Sequence, residues 1–349
     1  MTETLKYSVG VLAGETMRVI VKGKEQDIRA LWLDGNAVKF IDQKILPHRF
    51  EITSAGTVEE VAGFIEDMTV RGAPSIGAAG AFGMAIAQIT GADIHESAER
   101  LRRTRPTAFD LFYAIDKMIA ASSEGRDVVR AAQDYADSVA EKCRMIGEHG
   151  NDLIKSGDRI LTHCNAGALA TVDHGTALAP IRAAHRSAKK IHVFADETRP
   201  RIQGALTSWE LLQEGIPHDF IPDNAAGHLM QRGEVDMVIV GADRIASNGD
   251  FANKIGTYEK AVLAKENGIP FYTAAPVTTF DFSIESGADI PIEERHQDEV
   301  RFVGKERVCP EGASARNPAF DMTPARYLTG IITERGVFKP GELKRDKLQ

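Results

Sequence analysis

Residues 236–243 read DMVIVGAD. Met237 to Val240 is a short apolar run without polar alternation. That pattern suits a strand buried on both faces of a parallel sheet. Working outward, four more runs of the same kind appear: Arg159–His163 (RILTH), Ile191–Ala195 (IHVFA), His218–Pro222 (HDFIP) and Pro270–Ala275 (PFYTAA). Helical segments fill the gaps, at Ser208–Gln213, Ala225–Arg232 and Thr257–Asn267.

Repeated strand–helix units of this size predict a doubly wound, Rossmann-like parallel sheet over residues 151–349. Upstream, residues 1–150 follow another pattern. Arg18–Lys22, Asp27–Leu33 and Ala37–Ile41 read as strands, with Asp34-Gly35-Asn36 as the turn between the last two. Thr57 and Glu60 then form a capping-box pair, and Val58, Val61, Ile65 and Met68 share one helix face. Further helices are predicted from Pro74 and over Asp93–Arg103, Thr107–Ser122 and Val128–Glu148. The expected fold class is α/β: a mainly helical N-terminal domain with a small β start, then an α/β catalytic domain. The glycines of the Gly147–Gly157 region mark the expected boundary.

The length of 349 residues agrees with two domains. The 42 Lys and Arg against 50 Asp and Glu give a net charge of −8, which argues against a nucleic-acid partner. Small phosphorylated ligands stay open, because they need only a few well-placed cations. Cys143, Cys164 and Cys309 are too few and too scattered for a disulfide framework or a Cys-rich zinc site, which points to a reducing compartment. The opening MTETLKYSVG lacks an apolar signal region. The apolar stretch Pro74–Thr90, broken by Gly77, Gly80 and Gly83, is too short for a membrane span. The expectation is a cytoplasmic protein with no membrane partner. No metal-ligand spacing and no dinucleotide fingerprint is present, so neither metal nor cofactor is expected.

Ligands of open α/β sheets gather beyond the carboxyl ends of the strands. Here those ends carry Cys164-Asn165, then Asp196 to Gln203, then Asp223-Asn224, then Gly241 to Arg244 with Asn253-Lys254 further on. Cys164 is a candidate thiol whose pKa nearby N–H groups would lower. The competing reading is a small buried hydrophobe, which fits Cys143 on its apolar helix face. Asp243 is a candidate general acid or base, unless Arg244 pairs with it. Arg71 to Pro74 read as an anion-facing helix start, with Pro74 at the first position and Arg71 supplying a planar fork. The glycines that follow suit close helix packing equally well. Asn253-Lys254 are expected to open a helix and supply a second anion contact.

Six segments carry a resemblance: TVRGAPSIGAAGAFGMA (69–85), RPTAFDL (105–111), ILTHCNAGALAT (160–171), DETRPRIQGALTSWEL (196–211), the run from Val238 to Pro276, and PIEER (291–295). NPAFDMTPARYLTGIITERGV (317–337) also fits. Together they resemble the S-methyl-5-thioribose-1-phosphate isomerases, the aldose–ketose isomerases of methionine salvage. Their superfamily includes regulatory subunits of the translation initiation factor 2B type and ribose-1,5-bisphosphate isomerases.

The resemblance implies conversion of 5-methylthio-D-ribose 1-phosphate to the ribulose isomer, with 5-deoxyribose 1-phosphate as a further substrate. It implies Cys164 and Asp243 as catalytic groups. It implies Arg71, Gly72, Ala73, Arg105, Gln203, Asn253 and Lys254 as substrate contacts, no cofactor, and a homodimer. Arg105 and Gln203 rest on the resemblance alone. The alternatives are a ribose-1,5-bisphosphate isomerase and a non-catalytic regulatory subunit. Two departures stand out. The family commonly carries Asn where this chain has Asp110, and Gly-Tyr where it has Asp173-His174.

Overall fold

The computed structural model describes residues 16–342 apart from Lys22 and Thr107. The opening MTETLKYSVG, the end of the predicted strand at Lys22 and the predicted helix start at Thr107 lie outside the described residues. The chain begins with the hairpin of β1 (Met17–Val21) and β2 (Lys24–Ile28). A three-stranded antiparallel sheet follows, of β3 (Leu31–Asp34), β4 (Ala37–Ile41) and β5 (Ile52–Ala55). The single strand expected over Asp27–Leu33 is therefore two. The break falls at Ala30, whose N–H donates to the Val172 carbonyl at 2.8 Å while its own carbonyl accepts from Ile41 at 2.9 Å. A backbone committed to two other segments cannot continue one ladder.

Five helices come next: α1 (Val58–Glu66), α2 (Ala73–Thr90), α3 (Ile94–Arg102), α4 (Phe109–Ser123) and α5 (Val128–Asn151). The capping box of Thr57 and Glu60 forms as expected. Helix α2 lies at the centre, buried from Ser75 to Ala87. Its glycines let neighbours in: a β-carbon at Gly80 would sit 2.5 Å from Leu111 Cδ1. Close packing, not ligand contact, therefore explains Gly77, Gly80 and Gly83. The core around α2 extends beyond residue 151, to Leu169, Val172, Leu206 and Trp209.

The alternating part then runs β6 (Arg159–Thr162), α6 (Ala168–Thr171), α7 (Leu178–Arg186), β7 (His192–Asp196), α8 (Gly204–Gln213), β8 (His218–Ile221), α9 (Ala225–Gln231) and β9 (Met237–Val240). It continues with β10 (Arg244–Ala246), β11 (Phe251–Lys254), α10 (Thr257–Glu266), β12 (Phe271–Ala274), β13 (Phe280–Asp281) and α11 (Asp298–Arg301). The last strands are β14 (Phe302–Val303), β15 (Glu306–Arg307), β16 (Phe320–Thr323), β17 (Gly330–Thr333) and β18 (Gly336–Phe338). Seven of them form the main sheet, in the order β18-β17-β12-β9-β6-β7-β8. Every pairing is parallel except β17 with β18. Counted along the chain, the order grows outward from β6 in one direction and then from β9 in the other. This is the doubly wound topology, and its switch point lies between β6 and β9.

A second sheet, β13-β10-β11-β16, is built from segments after β9. Asn253 and Lys254 are strand residues here, not the opening of a helix. They pair with Asp321 and Phe320 of β16, and helix α10 starts only after Gly256 turns the chain at φ 100°. No helix of the described residues is long and apolar enough to cross a membrane.

Candidate active site

Strand β6 ends at Thr162, and two residues later Cys164 adopts a left-handed conformation, φ 67°. Thr198, after β7, does the same at φ 60°. Such conformations cost a non-glycine residue about 1–3 kcal/mol and persist only when neighbours enforce them. The enforcing bonds are present. The Cys164 N–H donates to the Thr198 hydroxyl at 2.8 Å, and the Thr207 hydroxyl donates to the Cys164 carbonyl at 2.7 Å. The Thr198 hydroxyl donates to the Asp196 carbonyl at 3.1 Å, and its N–H donates to the Asp223 carboxylate at 2.7 Å. The turns after β6, β7 and β8 are thus laced together.

His163 takes no part in the cavity. Its Nδ1 lies 2.8 Å from the Asp196 carboxylate and its Nε2 lies 2.8 Å from the Ile255 carbonyl. The adjacent cysteine and histidine are not a nucleophile–base pair. His163, Asp196 and Asp223 lie close enough to hold a cation. Lys260 Nζ, at 3.5 Å from Asp196, already supplies positive charge there.

Strand β9 ends at Val240, and Asp243 follows Gly241-Ala242, fixed by its N–H to the Ala252 carbonyl at 2.9 Å. Arg244, the partner that would have made Asp243 structural, turns away. It lies 3.6 Å from Asp281 and over the Phe109 ring at 5.9 Å. Among the described residues the Asp243 carboxyl has no hydrogen bond or salt bridge. It is reached by solvent through the cavity yet ringed by protein. The surrounding protein raises its pKa, and Lys254, Arg295, Arg105 and Arg71 oppose that rise.

The thiol behaves differently from its sequence expectation. Burial pushes the Cys164 pKa up, and Lys254 and Arg71 offset this only in part. Cys164 is therefore a neutral thiol near neutral pH and not a pre-formed thiolate. Cys143, on its apolar face, is buried and pushed up to about 12.

Arg71 donates to the Asn165 carbonyl at 3.2 Å and to its side-chain oxygen. Asn165 is gripped in turn, donating to Glu210 at 2.8 Å and to Thr207 at 3.1 Å. The Arg71 Nε is buried and keeps no partner among the described residues, and neither does the Gln203 Oε1. Gly72 caps α2 without a side-chain hydrogen bond, at φ 93°. Ala73 is the first helical residue, so Pro74 is second and not first. A β-carbon on Gly72 would lie 2.5 Å from the Ala170 Cα, so only glycine fits this approach. Buried Lys254 donates to the Ala319 carbonyl at 2.9 Å and lies 4.4 Å from the Phe320 ring centre.

All nine candidates line one cavity: Arg71, Gly72, Ala73, Arg105, Cys164, Gln203, Asp243, Asn253 and Lys254. Its floor is the switch point between β6 and β9. Asp110, Asn165, Arg295 and Phe320 line it too. Sequence reasoning placed Asn165 on the strand-end rim without a role, noted Asp110 only as a departure, and gave Arg295 and Phe320 no place in the site. Asn165 works by holding Arg71, which no local pattern shows. Arg295 lies over the same Phe320 ring at 5.4 Å and comes from a segment that directly follows no strand of the main sheet.

Residues 69–340 match the Initiation factor 2 subunit family. The chain is 54% identical over 327 residues to a methylthioribose-1-phosphate isomerase of Geotalea uraniireducens, covering 88% of this chain and 94% of the relative. It is 53% identical over 320 residues to the one of Thermotoga maritima, covering 88% and 93%. The crystal structure of 5-methylthioribose 1-phosphate isomerase from Pyrococcus horikoshii superposes with a TM-score of 0.86 at 44% identity, covering 92% of this chain and 95% of that one. A structure described as translation initiation factor eIF-2B, subunit delta, from A. fulgidus gives 0.82 at 44% identity, covering 92% and 99%. The chain therefore belongs to the Initiation factor 2 subunit family and, within it, to the methylthioribose-1-phosphate isomerases.

Proposed function

We propose that this chain interconverts 5-methylthioribose 1-phosphate and 5-methylthioribulose 1-phosphate in methionine salvage, with Asp243 and Cys164 as its acid–base groups. The observation that carries the reading is the convergence of these two side chains, from adjacent strands, with Arg71, Arg105 and Lys254 around one cavity. The cations and the uncapped start of α2 suit a phosphate dianion. Residues 1–150 supply Arg71 and Arg105, and residues 151–349 supply the acid–base pair.

A sugar esterified at C1 cannot open its ring by ordinary mutarotation. A proton must reach the ring oxygen as its bond to C1 breaks, and hydrogen must pass from C2 to C1. The C2 hydroxyl must then lose its proton as the ketone forms. Asp243, with its raised pKa, gives the first proton and takes back the last, so the protons balance over one turnover. The neutral Cys164 thiol faces the same atoms as a hydrogen-bond donor and second acid. Gln203 and Asn253 orient the sugar hydroxyls.

The test is a coupled assay of the purified chain on 5-methylthioribose 1-phosphate, 5-deoxyribose 1-phosphate and ribose 1,5-bisphosphate. The expected ranking of kcat/KM places the methylthio sugar first, with measurable 5-deoxyribose turnover. A first place for the bisphosphate overturns the substrate assignment. No turnover with any of the three favours a regulatory subunit. Deuterium from solvent at C1 of the product marks proton transfer, and its absence marks hydride transfer. We assign a cytoplasmic homodimer to the working enzyme, checked by light scattering and fractionation.

A further inference from the structure

Asp110 is the second residue of α4, 6% exposed, and lines the cavity together with Asp243 and Cys164. Its carboxyl makes no hydrogen bond or salt bridge among the described residues. An orphan carboxyl at nine-tenths burial is costly as an anion, so the site holds it neutral unless something offsets the cost. The charges that bear on it are few. Lys142 on α5 favours its ionised form, and Asp243 disfavours it. Tyr135, also on α5, is partly buried and itself pushed well above its ordinary range, by desolvation first and then by Asp110. Tyr113 lies on the same helix, Arg244 is paired with Asp281, and α2 brings no ionisable side chain at all. Burial is the largest influence and moves the Asp110 pKa to about 7. The cations that serve the phosphate do not reach it.

We propose that Asp110 is a positioning residue for Asp243, a carboxyl that enters turnover neutral and silences Asp243 when it ionises. The inference rests on the isomerase reading above. A cavity that must hold a phosphate dianion and, for part of the cycle, the Asp243 carboxylate has no cation left for a third negative group. Once ionised, Asp110 disfavours a second carboxylate beside it and keeps Asp243 protonated. Asp243 then cannot release its proton to the ring oxygen, so turnover falls on the alkaline side.

The experiment is the pH profile of kcat and kcat/KM for wild type, Asp110→Asn and Lys142→Met. The wild-type rate is expected to fall as pH rises through about 7, by roughly tenfold per pH unit beyond the midpoint. Asp110→Asn is expected to lose that fall while KM stays close to wild type. Lys142→Met removes a cation outside the cavity, raises the Asp110 pKa and moves the fall to higher pH. A fall that stays in place in both variants overturns the proposal. If Asp110→Asn does not fold, an unmoved limb in Lys142→Met alone overturns it. A readout independent of turnover separates this failure from failure of the isomerase reading. Carbon-13 titration of the Asp110 carboxyl in the whole chain should show a midpoint near 7, moving down in Asp243→Asn. A midpoint in the ordinary carboxylate range overturns the proposal even if the enzyme proves inactive.

Discussion

The backbone N–H of Cys164 donates to the side chain of Thr198 at 2.8 Å, and both residues hold left-handed backbone angles. Each strained turn is the other's support. The thiol is therefore aimed by a hydroxyl on the neighbouring strand end and not by its own turn alone.

Thr198→Val keeps the branched β-carbon and removes the hydroxyl. It leaves the Cys164 N–H without its acceptor, at a cost of about 1–3 kcal/mol. Urea unfolding should register that loss. Turnover should fall while KM changes little, because Arg71 and Lys254 are held by other partners. Unchanged kcat and unchanged stability would show that the Cys164 turn supports itself.

Cys164→Ser and Asp243→Asn should each lower kcat by at least about 10²-fold, the scale of a positioned acid or base. Circular dichroism and the melting temperature should stay near wild type, since neither side chain packs in a core cluster. Near-normal turnover in either variant removes that residue from the acid–base pair.

Gly72→Ala places a β-carbon 2.5 Å from the Ala170 Cα at φ 93°. Both the strain and the contact act against it, and the expected destabilisation exceeds about 1 kcal/mol. The start of α2 must retreat from α6, so KM for the sugar phosphate should rise. A wild-type KM in a stable Gly72→Ala protein would take the α2 start out of the binding site.

The Asp110 carboxyl also predicts a pH dependence of stability. Its folded pKa is raised by burial to about 7, above its value in the unfolded chain. The unfolded chain therefore ionises it first. Stability that is intact below the ordinary carboxylate range is lost as pH rises through the folded pKa. Asp110→Asn abolishes this term. Its stability relative to wild type should climb between about pH 4 and about pH 8 and level off above. A difference that stays flat across that range would show that Asp110 ionises normally in the fold.

Five strands of the main sheet were legible as short runs between helical segments, but β17 and β18, which extend it beyond β12, were not. The rule for strand ends then led to Cys164 and Asp243 without any knowledge of the switch point. The second sheet was not legible, because β11 reads FANK and its polar residues are buried. Buried Asn253 and Lys254 in a strand look, in one dimension, like the start of a helix. The break at Ala30 was hidden for a related reason: its hydrogen bonds go to Val172 and Ile41, which no local run can announce. The thiol pKa was misjudged in sign, since desolvation depends on what surrounds a residue in space.

Helix α2 begins at the Arg71-Gly72-Ala73 edge and yet carries no ionisable side chain, with three glycines in its interior. Each glycine costs an isolated helix about 1 kcal/mol relative to alanine, so α2 owes its helicity to the elements that enclose it. That edge comes into being only with the assembled bundle. Ligand affinity and folding free energy are then linked quantities, and saturating sugar phosphate should raise the melting temperature of the whole chain. A partly assembled chain offers the substrate no seat, and the substrate in turn draws the chain toward completion.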